Sequence, residues 1–512
     1  MTFFDPEALM SAIGLVISLD TFLFILLGVV IGISFGAIPG LAHTLPIAIA
    51  LPLTLVIPFH QAMGLLIGTY KGGTYGGSIT AISFATPGTS GAAATVADGY
   101  GLTKKGKTRK ALQMALYSSI FGDSVSDLAL IFLVVPIGIV APKFGPAELT
   151  ALYIMALALV VLLAADNPGK GMISAAVGFF LAVIGRDIVT GSFRFTMGIR
   201  QLQAGFDLIP FLMGFFAVPE IVRHMRKVFV DPTSVEELGE GKAENLKKEK
   251  GLTFKELIGA WRGLGLGTLM GIFLGALPGP GATLSSYTSH SVVGQISKDE
   301  EYGSGSLEGV AAAESANNAT CGATFIPMLT FGVPGSSIAA MLMAALMMEG
   351  IPVGPRVMVD HTETVYVMFL LLLMSNPFNL LFGKILIPLY TRLTRMPARF
   401  LWPAITVLLI MGTYAYQTRP FDVVIMILSG IIGCFFFWFK ITDGPLVLAF
   451  LVAPLFEESF RQALMMSGGD YTFFFQSNIS RVLWAVTFGA IIWFAYKRWR
   501  DGGSDYDMHV SD

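Results

Sequence analysis

Two Pro-Gly pairs followed by hydroxyl side chains are the residues best suited to bind a ligand. One is Pro87-Gly88-Thr89-Ser90 and the other is Pro334-Gly335-Ser336-Ser337, and both lie in apolar segments. Proline lacks an amide hydrogen and glycine accepts left-handed backbone, so each pair is expected to break a helix. Serine and threonine favour helix starts, whose free amides attract anions. The motifs therefore predict an anion site, and the alternative is that they only kink packed helices.

Further residues extend this predicted substrate site. Irregular backbone inside a membrane is tolerated only where it is buried in protein or lines a wet cavity. Besides the two pairs and their hydroxyl residues, the predicted substrate contacts are Lys71, Tyr75, Gly76, Gly77, Ser78, Thr86, Asn317 and Asn318. Two interpretations of Lys71 stay open, because it either balances a substrate carboxylate or extends its ammonium group to a membrane interface.

A third polar group lies at Glu314-Ser315-Ala316-Asn317-Asn318, within a segment of small and apolar residues. Unpaired polar groups in a membrane are costly, so these side chains predict either contact with a cation or substrate or a hydrogen-bond network between helices. Carbonyl groups of unwound backbone also hold cations in broken-helix transporters. The predicted cation site, for a sodium ion, comprises Gly40, Gly279, Gly281, Glu314 and Asn318.

Other chemistry is not supported by the residues. The stretch from Gly101 to Thr108 matches a nucleotide-binding pattern, but that motif needs a preceding strand and an α/β domain. The six histidines are dispersed, and Cys321 and Cys434 lie in apolar surroundings. We therefore expect no enzymatic activity, no disulfide, no metal centre beyond a sodium ion and no organic cofactor.

The elements that must position these residues are membrane helices. Of 512 residues, 54% are hydrophobic and only 13% are charged, and the mean hydropathy is +0.70. A membrane-spanning helix needs about 20 consecutive apolar residues, and we count about twelve such stretches. Phe22 to Ile38, Ala147 to Ala165 and Phe421 to Phe439 are examples. The expected fold is an all-α integral membrane protein with helices interrupted at the Pro-Gly motifs.

An internal duplication is visible in the motif GIxxGAxPG, which occurs from Gly32 to Gly40 and again from Gly271 to Gly279. The copies are 239 residues apart, whereas the second Pro-Gly pairs, at Pro87 and Pro334, are 247 apart. Basic residues cluster at 104–110, 223–262, 392–399 and 497–500, which the positive-inside rule assigns to the cytoplasm. This predicts repeats of opposite orientation, an external N-terminus and a cytoplasmic C-terminus.

The predicted domains follow the duplication. Residues 1–222 form an N-terminal membrane repeat with its following helices, and residues 223–256 form a polar cytoplasmic linker of mixed charge. Residues 257–500 form the second membrane repeat with its following helices, and residues 501–512 form a polar tail.

Several motifs together resemble the large permease of the tripartite tricarboxylate transporters, from about Gly28 to Tyr496. They are Tyr75-Gly76-Gly77-Ser78, Thr86-Pro87-Gly88-Thr89, Asp98-Gly99-Tyr100, Pro278-Gly279-Pro280-Gly281, Glu314 to Ala319 and Gly332-Val333-Pro334-Gly335. The resemblance implies a multi-pass protein of the bacterial inner membrane that takes up citrate or other small carboxylates with a sodium or proton gradient. The implied partners are a small membrane subunit of four to six helices and a periplasmic solute-binding protein, with no nucleic acid.

Two other classes of transport protein are kept as alternatives. One is the large subunit of the related binding-protein-dependent dicarboxylate (TRAP-type) systems, which also contain inverted repeats. The paired asparagines at Asn317 and Asn318 and the Tyr75-Gly76-Gly77-Ser78 motif argue against it. The other is a passive organic-anion channel, which would dissipate a substrate gradient but would not build one.

Overall fold

The computed structural model describes residues 5–38, 44–164, 167–187, 189–230, 249–279, 281–386 and 398–500. These residues are almost entirely helical, which confirms the all-α membrane class. Six helices are long and apolar enough to cross a membrane, judged by length and composition. They are Leu19–Gly36, Thr108–Gly138, Pro146–Leu163, Thr362–Leu386, Pro420–Trp438 and Asn478–Tyr496. The expected total of about twelve spans stays a prediction.

The chain packs as two compact units, each of which is made of two stretches of sequence. The first unit comprises Met1–Gly138 and Asp207–Phe435, and the second comprises Ile139–Phe206 and Phe436–Asp512. The first unit therefore contains both copies of the GIxxGAxPG motif and all the predicted site residues. The domain boundaries expected at residues 222 and 257 stay predictions, and most of the expected linker (231–248) lies outside the described residues, as does the tail.

The helices of the first unit begin and end as follows: α1 Pro6–Val16, α2 Leu19–Gly36, α3 Thr44–Ala50, α4 Phe59–Phe84, α5 Val96–Lys104, α6 Thr108–Val140, α9 Leu208–Val230, α10 Phe254–Gly259, α11 Trp261–Gly275, α12 Gly281–Ile296, α13 Leu307–Ala323, α14 Phe325–Phe331, α15 Ser337–Met348, α16 Val357–Asp360, α17 Thr362–Leu386, α18 Ala398–Gln417 and α19 Pro420–Trp438. Helices α6 and α19 cross into the second unit at their ends. Short 3-10 helices cover Leu51–Leu55 and Ser90–Thr95.

The second unit contains α7 Pro146–Ala164, α8 Pro168–Ala182, α20 Gly444–Met466 and α21 Asn478–Arg500, with 3-10 helices at Ala141–Lys143, Arg200–Ala204 and Tyr471–Phe475. Helix α20 packs against α7 and α8, and α21 packs against α7. A short antiparallel hairpin of β1 (Gly185–Arg186) and β2 (Phe193–Arg194) follows α8. The sequence did not predict this hairpin. Its Arg194 forms a two-point ion pair with Glu457 of α20, at 2.6 and 2.9 Å.

The helices of the first unit end before the proline of each described motif: α4 at Phe84, α11 at Gly275 and α14 at Phe331. The interruptions predicted at Pro87, Pro278 and Pro334 are therefore confirmed. Pro39 and Gly40, which belong to the fourth motif, lie outside the described residues. The stretch 101–108 that matches a nucleotide-binding pattern forms the end of α5, a turn and the start of α6, so it follows a helix.

The two copies of GIxxGAxPG make the same contact in their respective halves. A Cβ added at Gly32 would lie 2.3 Å from the carbonyl oxygen of Thr69, and one added at Gly271 would lie 2.4 Å from that of Ala316. Thr69 and Ala316 are 247 positions apart, which is the offset of the second Pro-Gly pair. Only glycine allows helix pairs α2–α4 and α11–α13 to approach this closely. Similar contacts involve Gly28 and Gly36 of α2 and Gly267 and Gly275 of α11. The packing is thus duplicated, and the opposite orientation of the copies stays a prediction.

Candidate binding site

The predicted site residues lie mainly on α4, on α13 and on the segments that follow their Pro-Gly breaks. Helix α4 is buried from Ala62 to Ile82, and α13 is buried from Gly309 to Ala323. Such complete burial of a helix rich in glycine, threonine and asparagine means that other helices must satisfy its polar side chains. The site is therefore described by the partners that surround each side chain.

Lys71 of α4 lies fully buried in an ion pair. Its Nζ donates to Asp127 Oδ2 at 2.5 Å, to Asn376 Oδ1 at 2.8 Å and to the carbonyl oxygen of Leu372 at 3.0 Å. A second carboxylate oxygen, Oδ1 of Asp123, is 3.7 Å away. The ammonium group therefore points into the protein and does not extend to an interface. Its contact with a substrate carboxylate stays a prediction.

Glu314 of α13 is held by hydroxyl groups from the other half of the sequence. Ser78 Oγ of α4 donates to Oε2 at 2.5 Å, Thr95 Oγ1 donates to Oε1, and Ser119 Oγ of α6 is 3.4 Å from Oε2. The side chain is fully buried, and it forms no ion pair within the described residues. The hydrogen-bond network expected as one interpretation is thus present. Cation contact at Glu314 stays a prediction.

The paired asparagines have different surroundings. Asn318 Nδ2 donates to Asp123 Oδ2 at 2.9 Å. Both polar atoms of the Asn317 amide are buried without a hydrogen-bond partner, as is the hydroxyl group of Thr89. A Cβ added at Gly91 would lie 2.2 Å from Asn317 Oδ1, so Asn317 lies against the first turn after the Pro87-Gly88 break. The structure therefore brings the second half's asparagine to the first half's broken helix.

The helix starts predicted after the two breaks are present. Ser336 is the N-cap residue of α15, where its hydroxyl group accepts from Ala339 N at 3.2 Å. Thr89 precedes the Ser90–Thr95 helix, which continues directly into α5, but it makes no capping bond. Thr86 and Ser90 are exposed, and Ser337 is half-buried. Of the two serines after the second break, Ser336 is thus the cap, whereas after the first break Thr89 keeps its hydroxyl group unpaired.

The remaining predicted residues form the close contacts around the breaks. A Cβ at Gly76 would lie 2.6 Å from the carbonyl oxygen of Ile33, and one at Gly77 would lie 2.4 Å from Thr89 Oγ1. Gly279 N donates to the carbonyl oxygen of Gly335 at 3.3 Å, which joins the two breaks of the second half. Gly281 begins α12, Tyr75 is fully buried with an unpaired hydroxyl group, and Gly40 lies outside the described residues.

The sequence interpretation missed Asp123 and Asp127 of α6 and Asn376 of α17. The two aspartates are four residues apart in the middle of a long membrane helix, so they share one face. An ionisable residue inside a membrane segment is by default a functional candidate. The four-residue spacing of the two aspartates could therefore have identified them from the sequence. Their partners, Lys71 and Asn318, lie on different helices.

A second missed contact joins the halves near the predicted cytoplasmic side. The Asp98 carboxylate is fully buried and accepts from Gly305 N at 3.0 Å and Ser306 N at 2.8 Å. It also pairs with His290 Nε2 at 2.7 Å. The dispersed histidines gave no hint of this, because Asp98 and His290 are 192 positions apart.

Apolar helices, paired backbone breaks and buried ionisable side chains on facing helices define a membrane transport protein. The chain matches the model of the Tripartite tricarboxylate transporter TctA family over residues 22–448, and it belongs to that family. It is therefore a membrane component of tricarboxylate transport.

Two relatives come from Agrobacterium vitis. An uncharacterised 52.8 kDa protein from the TAR-I ttuC′ 3′ region is 35% identical over 466 residues, covering 91% of each chain. An uncharacterised protein from the TAR-II ttuC′ 3′ region is 37% identical over 214 residues, covering 42% of this chain and 88% of its own. No solved structure matches the chain.

Proposed function

We propose that this chain is the large inner-membrane subunit of a binding-protein-dependent secondary transporter that imports small organic carboxylates with a sodium or proton gradient. The observation that carries the proposal is the group of unpaired buried polar atoms on Asn317 and Thr89, beside a broken helix. Amide and hydroxyl donors next to a helix start form a suitable site for a carboxylate. Family membership supports a small membrane subunit and a periplasmic solute-binding protein as partners.

Cation coupling follows from the charge of the substrate. Each negative charge moved inward against 100 mV costs about 2.3 kcal/mol, so a dianion or trianion needs cations that move with it. Glu314 is a buried carboxylate that accepts from hydroxyl groups and interacts with the neutral amide of Asn317, so a sodium ion or proton is needed to balance its charge. We assign Glu314 to cation coupling and the Asn317, Thr89 and Ser336 groups to the substrate.

Reconstituted vesicles test the proposal. The chain is inserted with its small subunit, the binding protein is added outside, and uptake of a panel of radiolabelled dicarboxylates and tricarboxylates is measured. We expect accumulation above the external concentration when a sodium or proton gradient is imposed, and none when both are collapsed. Uptake that only equilibrates would identify an anion channel, and unchanged uptake without either gradient would reject coupling.

Two substitutions test the site itself. We expect Ser336→Ala and Asn318→Ala each to abolish uptake while membrane insertion is retained. For Ser336, loss of an N-cap costs only about 1 kcal/mol. Ser304→Ala and Asn478→Ala are matched controls, because both residues are exposed and lie outside the site. Normal uptake by both site variants would remove the assignment.

A further inference from the structure

Lys71 lies near two carboxylates but has no N–H donor left for the second one, Asp123. A protonated lysine carries three N–H donors. Those of Lys71 are used by Asp127 Oδ2, by Asn376 Oδ1 and by the carbonyl oxygen of Leu372. Asp127 Oδ2 also accepts from Asn376 Nδ2 at 2.8 Å. Lys71 and Asp127 therefore form a pair of balanced charge in which all three donors of the lysine are used.

Asp123 is the carboxylate that remains. It is fully buried, and its Oδ2 accepts one bond from the neutral amide of Asn318 at 2.9 Å. Its Oδ1 has no hydrogen-bond partner and lies 3.7 Å from Lys71 Nζ. The two aspartates and the lysine together carry one net negative charge, and an uncompensated charge at such depth is strongly unfavourable. This centre lacks one positive charge.

The oxygen atoms along the contact between α6 and α13 indicate what kind of cation is missing. Asn318 Oδ1, Ser126 Oγ and Asp127 Oδ1 are all buried without a hydrogen-bond partner. Gly322 of α13 packs closely against two of them, since a Cβ there would lie 2.3 Å from Ser126 Oγ and 2.8 Å from Asp127 Oδ1, so these oxygen atoms lie at the contact between the two helices. A proton satisfies one oxygen atom, whereas a hard metal cation is coordinated by several.

The net charge selects a monovalent ion, because a divalent ion would leave an excess positive charge. We infer that Asp123 and Asn318 form a sodium site, separate from Glu314, at the contact between α6 and α13. Asp123 Oδ1 supplies the charged ligand, and Asn318 Oδ1 supplies a neutral one. The role of this ion as a coupling ion rests on the proposed function, whereas its binding does not.

Thermal unfolding of the purified full-length protein in detergent tests the site without any carboxylate. The probe is sodium chloride at neutral pH, with choline chloride replacing it at constant ionic strength. We expect the wild-type Tm to rise with sodium in a saturable way. In Asp123→Asn the half-saturating sodium concentration should rise at least roughly tenfold, since even the outer partners of metal ligands are worth 10- to 100-fold in affinity.

Asp422→Asn is the matched control, because Asp422 is another buried aspartate of the first unit, on α19. It should keep the wild-type sodium response. If Asp123→Asn does not fold, Asn318→Ala replaces it, since that change removes one ligand and keeps the charge. A wild-type half-saturating concentration in the variant that folds would overturn the inference.

Two further outcomes are decisive. In the first, sodium does not stabilise the wild-type protein, whereas mild acid stabilises the wild type and does not stabilise Asp123→Asn. This result would make the missing cation a proton and would overturn the sodium site. In the second, sodium stabilises the protein only when Asp123 is present, but no gradient drives carboxylate uptake. This result would reject the proposed function and support the sodium site.

Discussion

At the scale of single residues, charge placement in the first unit depends on partners far apart in the sequence. Lys71 and Asp127 are 56 positions apart, and Ser78 and Glu314 are 236 apart. Each bond is formed between fully buried groups, so neither partner has water as an alternative. Removing one partner of such a pair should therefore cost far more than removing both.

We expect Lys71→Met to destabilise the protein strongly. The change leaves Asp123 and Asp127 as two uncompensated buried carboxylates, and breaking a buried pair costs about 3–5 kcal/mol. Adding Asp127→Asn should restore much of the lost stability, because one positive and one negative charge are then removed together. The measurement is the folded fraction and the Tm of each variant in detergent. A double variant no more stable than Lys71→Met alone would contradict the ion-pair account.

Ala85, the C-cap residue that ends α4, offers a stabilising change. Ala85 adopts left-handed backbone with φ of 56°, whereas Gly332, its counterpart 247 positions later, has φ of 70°. Left-handed conformation costs a residue with a Cβ roughly 1–2 kcal/mol. Ala85→Gly should therefore raise the Tm.

Ala97→Gly is the control for that change, because Ala97 is an exposed residue inside α5. It should lower stability by about 1 kcal/mol, the usual cost of glycine in a helix. If both glycine variants were destabilised equally, the backbone at Ala85 would not be strained.

At the scale of helices, the glycine faces of α2 and α11 control how the two halves are built. The face of α2 rests on backbone carbonyl groups of α4, and the face of α11 rests on backbone and side-chain atoms of α13. The close approach leaves no space for a side chain, and closely packed protein interiors relax only partly around added atoms. The same arrangement in both halves explains why the glycines recur at matching positions.

Gly271→Ala should weaken the packing of α11 on α13. Its Cβ would lie 2.4 Å from a carbonyl oxygen, and overpacking of this kind costs about 1–3 kcal/mol. Gly265→Ala is the matched control on the same helix, because nothing lies within 4 Å of its Cβ, and it should gain up to about 1 kcal/mol in helix propensity. Thermal unfolding of the two variants should shift in opposite directions, and equal shifts would disprove the contact.

The start of α10 provides a pH-dependent contact outside the membrane helices. Burial opposes the charged form of Glu256, but hydrogen bonds from Lys110 and from Thr253 outweigh it and lower its pKa to about 2. A lowered folded-state pKa means that the contact stabilises fully above the ordinary pKa of 4.5 and is lost as the pH falls toward 2.

Glu256→Gln should therefore lower the Tm by a constant amount between neutral pH and about pH 5, the upper end of the range in which such carboxylates titrate. The difference from wild type should shrink under stronger acid. Unfolding scans of both proteins across this range provide the measurement. A difference that grew as the pH fell would contradict the assignment.

At the scale of the whole molecule, Glu314 and the Asp123 centre are two separate negative charges on the same pair of helices. Ser119 and Asp123 are one turn apart on α6, as are Glu314 and Asn318 on α13. Ser119 contacts Glu314, and one turn farther along both helices Asp123 contacts Asn318. On the proposed function and the inferred sodium site, each centre takes one cation, so transport of a dianion through this protein should be close to electroneutral.

We expect about two cations to enter with each dicarboxylate, because each uncompensated charge would otherwise move at about 2.3 kcal/mol per 100 mV. Parallel uptake of radiolabelled sodium and substrate into vesicles, with the membrane potential clamped, measures the ratio. A ratio of one in the wild-type protein would mean that only one of the two centres takes part in coupling.

The interruptions of the helices were determined by the sequence alone. Proline and glycine act through their own backbone, so the breaks at Pro87, Pro278 and Pro334 needed no knowledge of neighbouring helices. The N-cap at Ser336 and the duplicated glycine motif were also local patterns. These features could be predicted because their causes lie within a few residues.

Only the tertiary structure decided which side chain meets which. The sequence left Lys71 with two interpretations and overlooked Asp123, because the partner of a buried charge is chosen by how distant helices pack. Burial removes water as a partner, so each polar group must find another polar group wherever the fold brings one close. The backbone breaks thus follow from local chemistry, and the charge balance follows from the packing of α4, α6, α13 and α17.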